Sequence, residues 1–60
     1  MKDYEVTISL MDGTNLFIVI LQHQASKLMA IGKAFVAMHN TIGMIEVKDM
    51  ELKVSSEVLN

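Results

Sequence analysis

Leu16-Phe17-Ile18-Val19-Ile20-Leu21 is an unbroken apolar run, rich in β-branched side chains, that begins three residues after Asp12-Gly13. A short apolar run behind a turn signal predicts a strand buried on both faces. The preceding residues define its partner. Tyr4, Val6, Ile8 and Leu10 alternate with Glu5, Thr7, Ser9 and Met11, the period of a strand with one face in the core. Asp12-Gly13 suits a tight hairpin, because both residues tolerate positive φ. A two-residue turn there sets Met11 opposite Thr14. The register then pairs Ile8 with Phe17, Val6 with Val19, and Tyr4 with Leu21.

This register has a consequence on the opposite face. Glu5, Thr7 and Ser9 lie there beside Leu16, Ile18 and Ile20. One helix covers one side of a small sheet, so the second strand keeps apolar side chains that the chain itself does not cover. Full burial of each is worth about 1.5–3 kcal/mol. Leu16, Ile18 and Ile20 are therefore the expected self-association surface.

Residues 25–39 predict that helix, with Ser26 as N-cap and Asn40 closing it in a left-handed conformation. Projection at 100° per residue places Leu28, Ile31, Gly32, Phe35, Val36 and Met38 on the core side. Lys27, Ala30, Lys33, Ala34 and Ala37 form the outer stripe, read either as a solvated face or as a close helix–helix contact in an oligomer. Gly32 weakens a helix by about 1 kcal/mol relative to Ala, which suggests close packing at that point. Further on, Ile45 and Val47 alternate, then Met50, Leu52 and Val54, with a slip of one residue between the sets. A bulged strand and a second hairpin at Lys48-Asp49 both fit. The tail from Ser55 to Asn60 is polar enough to fray, although Val58-Leu59 could dock.

The expected fold is a single α+β domain over residues 1–60, a two-layer ββαβ or ββαββ arrangement with an antiparallel sheet packed on one helix. Sixty residues bury only about 60% of their unfolded surface, which leaves a lone copy marginal. Disulfides need cysteine, and the chain has none. Oligomerisation is the remaining support, and an apolar content of 52% can supply it.

The composition narrows the function classes. Net charge is −2, and the five basic residues Lys2, Lys27, Lys33, Lys48 and Lys53 are scattered, with no arginine. Nucleic-acid binders cluster such residues; DNA-binding regulation therefore ranks last of three readings. No apolar run approaches the roughly 20 residues of a membrane span, and Met1-Lys2-Asp3-Tyr4 lacks the layout of a signal peptide. A cytoplasmic protein is expected. His23 and His39 have no third ligand at a recognised spacing, the serines lack a G-x-S-x-G context, and Gly32-Lys33 lacks the rest of a phosphate loop. No catalytic, metal or cofactor site is expected, and the chain reads as a non-enzyme. Of the six methionines, Met38 and Met50 fit the core. Met11, Met29 and Met44, with Lys27 and Lys33, are candidates for a partner surface, since Met adapts readily to binding surfaces.

The stretch Tyr4-Glu5-Val6-Thr7-Ile8-Ser9-Leu10-Met11-Asp12-Gly13-Thr14 resembles the opening hairpin of very short accessory proteins encoded by phages and prophages of Gram-positive bacteria. The resemblance covers eleven of the sixty residues. It implies an accessory role, commonly binding and inhibiting a host protein, components of antiviral defence included, in the host cytoplasm. Two principal expectations follow: a homo-oligomeric binding protein, which the resemblance implies is an inhibitor, or a sponge that holds a small molecule or nucleotide between subunits with Lys27 and Lys33 of two copies.

Overall fold

The computed structural model describes residues 1–43 and 51–60. Strand β1 is Lys2–Leu10, β2 is Asn15–Gln24, helix α1 is Lys27–Ile42 and β3 is Leu52–Val58. The sheet order is β2-β1-β3, with both neighbours antiparallel to β1. This is the expected ββαβ form of the α+β fold. The bulge-or-hairpin question, and with it a fourth strand, falls on residues outside those described.

β1 is central because it alternates most cleanly. Tyr4, Val6 and Ile8 are buried and meet Ala30, Ala34 and Met38 of α1. Phe17, Val19 and Leu21 of β2 and Leu52 and Val54 of β3 pack around them, partly buried.

The β1–β2 register is as predicted at Ile8–Phe17, Val6–Val19 and Tyr4–Leu21, but the turn is not. Leu10, rather than Met11, lies opposite Thr14: its N–H donates to the Thr14 carbonyl at 2.8 Å, and the Gly13 N–H donates to the Leu10 carbonyl at 3.0 Å. The loop is therefore the three residues Met11-Asp12-Gly13, with Gly13 at φ +98°. Such loops need a residue with positive φ in the last position, which glycine adopts freely. The Asp12 carboxylate accepts the Thr14 N–H at 2.8 Å. That bond holds its carboxyl below the usual carboxylate range. The extra loop residue is offset at once. Ser9 pairs with Asn15 while Ile8 pairs with Phe17, so Leu16 is an additional residue in β2 and forms a bulge. Two one-residue offsets cancel, and the apolar pairs stay in phase.

The far end of the sheet has a second irregularity. Lys2 pairs with Gln24 and Tyr4 with Leu21, and His23 takes φ +60°. Asp3 ties this end together. Its carboxylate accepts the His23 N–H at 2.9 Å and the Asn60 side-chain amide at 3.3 Å, and its carbonyl accepts the Leu59 N–H at 2.8 Å. A left-handed conformation costs an L-residue about 1–2 kcal/mol. Glycine avoids that cost but loses about 0.5–1 kcal/mol in entropy. His23→Gly is therefore expected to raise the melting temperature by a few degrees, read by circular dichroism at fixed protein concentration.

Helix α1 starts where expected. Ser26 is extended and its hydroxyl accepts the Met29 N–H at 3.2 Å. It ends later than expected, at Gly43 with φ +89°, whose N–H donates to the His39 carbonyl at 2.9 Å; Asn40 lies within the helix. The larger correction is rotational. Ala30 and Ala34 are completely buried and Met38 nearly so, whereas Leu28 is 79% and Val36 60% exposed. The alanine stripe read as the outer face packs on the sheet. The sheet side of the core holds Tyr4, Val6, Ile8 and Phe17. Bulky residues there leave room for small ones opposite, and close-packed interiors favour that match. Gly32 faces open space instead of a close neighbour.

The tail is also more ordered than expected. Ser55, Ser56, Glu57 and Val58 pair with Thr7, Val6, Glu5 and Tyr4. The second edge of β1 supplies the hydrogen bonds that serine-rich sequence would not attract alone.

Candidate interaction surfaces

The face of the sheet away from α1 is built in cross-strand rows. Ile20 lies beside Glu5, and Glu5 beside Glu57; Ile18 lies beside Thr7, and Thr7 beside Ser55. Ser9 pairs with Lys53 and its hydroxyl donates to the Lys53 carbonyl at 3.4 Å. Ile18 is 52% and Ile20 55% exposed, and Leu16, at the bulge, is half-buried. The apolar side chains on this face are thus confined to β2, while β1 and β3 contribute polar and charged ones. Glu5 and Glu57 stand directly opposite each other, a like-charge pair that is mildly destabilising and is tolerated where water screens it.

The second exposed apolar surface is the outer side of α1. Leu28, Gly32 and Val36 are spaced at i, i+4 and i+8, hence in one row, with half-exposed Met29 beside them. Lys27 and Lys33 are exposed, and α1 has no acidic residue. Met11 is exposed at the β1–β2 loop. β2 runs from that loop to Gln24 and α1 begins three residues later, so Met11 and Met29 sit at opposite ends of the sheet. The structure brings Met29 and Lys33 together, one helical turn apart, and leaves Met11 remote from both. Met44 lies outside the described residues.

His23 is at the second irregularity of β2, beside Gln24, and His39 is exposed in the last turns of α1. Among the described residues no three His, Cys, Asp or Glu side chains gather closely enough to hold a metal ion, and no helix is long and apolar enough to cross a membrane.

Neither protein-family models, curated proteins nor solved structures match this chain. Its surfaces are therefore read from their own chemistry. The Leu28–Val36 row is the feature the sequence reading missed. A usable signal was present: Ala30, Ala34 and Ala37 are small rather than polar, and small residues let a helix approach a bulky sheet.

Proposed function

We propose that this chain is a non-enzymatic interaction protein that works as a homo-oligomer. The observation that carries the reading is the half-exposure of Ile18 and Ile20 on the sheet face that α1 does not cover. Covering each recovers about 1 kcal/mol per copy, roughly half the value of full burial. A second copy provides that cover twice over.

The outer side of α1 is then left for a different protein. Lys33 lies beside Met29 at one edge of the apolar row there, so the complementary surface is apolar at its centre and acidic at that edge. The hairpin's likeness to short phage proteins suggests the setting: a phage-encoded inhibitor that occludes a host protein, for instance a component of antiviral defence. Occlusion requires a matching surface and no bond chemistry. Ile18→Lys tests the assembly. The variant is expected to stay folded and to lose the native mass of the wild type by light scattering. Retention of that mass by a folded variant would overturn the role given to this face.

A further inference from the structure

We propose that two copies join by strand addition, with β2 of one pairing antiparallel with β2 of the other about a two-fold axis at Val19, to make one continuous sheet that includes the six strands of the described residues. The inference rests on the self-association reading and specifies its geometry.

β2 is an edge strand. Among the described residues no strand pairs with its outer side, so a row of backbone N–H and C=O groups there is open to a partner. Proteins usually blunt such edges with lysine, proline, short length or bulges. β2 has ten residues and contains no lysine, arginine, aspartate, glutamate or proline. Its irregularities fall at the ends, around Leu16 and His23, and leave Phe17–Leu21 regular. The other edge, β3, is shorter and carries Lys53 and Glu57.

The strand is also complementary to itself. Centred on Val19, antiparallel pairing sets Val19 against Val19, Ile18 against Ile20, and Phe17 against Leu21, each of the last two occurring twice. Every opposed pair is apolar, and no like charges meet. Each isoleucine then packs sideways against one of its partner's, which covers part of its exposed surface, and the four form one patch astride the axis. A two-fold of this kind keeps both helices on the same side of the sheet, and α1 packs more on β2 than on the other strands, so the helices lie to either side of the join.

The distribution of charge favours the edge over the face. Stacking two open faces would bury the opposed Glu5 and Glu57 along with Ile18 and Ile20, and burying unpaired like charges is strongly unfavourable. Edge pairing gathers the isoleucines and leaves the glutamates in water. It also accounts for apolar residues on this face being confined to the outermost strand.

The absence of native cysteine makes the test direct. Opposed residues in an antiparallel pair have Cα atoms about 4.5–5.5 Å apart, within disulfide reach. Val19→Cys is expected to give a covalent dimer on a non-reducing gel after mild oxidation. Ile20→Cys alone is not, because its two copies are displaced along the strands. An equimolar mixture of Ile18→Cys and Ile20→Cys chains is expected to cross-link, and neither alone. Val19 faces α1, so face-to-face stacking cannot join it to its copy. A native dimer in which Val19→Cys does not cross-link would overturn strand addition and leave self-association standing. A native mass of one copy would overturn both.

Discussion

Ile8→Ala is expected to lower the unfolding free energy by about 2–5 kcal/mol, the range for removing a large aliphatic side chain from a packed core. Ile8 is completely buried. It lies in the central strand, between Phe17 on one side and Val54 on the other, so a cavity there weakens both pairings and the contact with α1. Native domains hold a margin of about 5–15 kcal/mol, and a chain of this size belongs near the lower end. The substitution therefore removes a large part of the whole stability. Urea unfolding followed by circular dichroism should show a clear drop in midpoint with little change in slope. Both proteins need the same concentration, since association shifts apparent stability. A midpoint within error of the wild type would place the core elsewhere.

Ala34→Leu is expected to destabilise by about 1–3 kcal/mol or more, because it forces three extra carbons between α1 and the sheet. Ala34 has no exposed surface, whereas Val36, two residues along the same helix, is 60% exposed. Val36→Ala should accordingly stay within about 0.5 kcal/mol in the monomer's own stability. The pair measures the rotation of the helix. The hydrophobic projection that places Val36 in the core predicts the reverse order: a costly Val36→Ala and a tolerated Ala34→Leu. Thermal and urea melts of the two variants distinguish them.

The parts of this fold that could be read from sequence are those governed by period two. Tyr4, Val6 and Ile8 sit on the core face as their alternation predicts, and the pairs with Leu21, Val19 and Phe17 follow. The register was predicted through the wrong turn. Gly13 closes a three-residue loop, and Leu16 takes up the added residue as a bulge. The constraint on register is the apolar match, since a slip of one residue turns every side chain to the wrong face. Loop length adapted to it.

Helix orientation was less legible because alanine is apolar yet too small to mark a face by hydrophobicity. What decides the rotation of α1 is volume. The sheet's large side chains fill the space, and Ala30 and Ala34 fit what remains. The order of the tail depends similarly on something outside its own sequence. Ser55, Ser56 and Glu57 are poor strand formers in isolation, but β1 has a second edge to satisfy. Of the surfaces, Ile18 and Ile20 could be found from register alone. Leu28 and Val36 could not, because finding them required knowing which side of the helix faced in.

The central claim is that the uncovered isoleucines of the edge strand bring copies of the chain together. Equilibrium sedimentation of the wild-type protein over a dilution series tests it most directly. The account predicts a mass of at least twice the 6.7 kDa of one chain, falling toward that value only on dilution. A folded, cooperatively melting protein that sediments at 6.7 kDa across the whole series would contradict it.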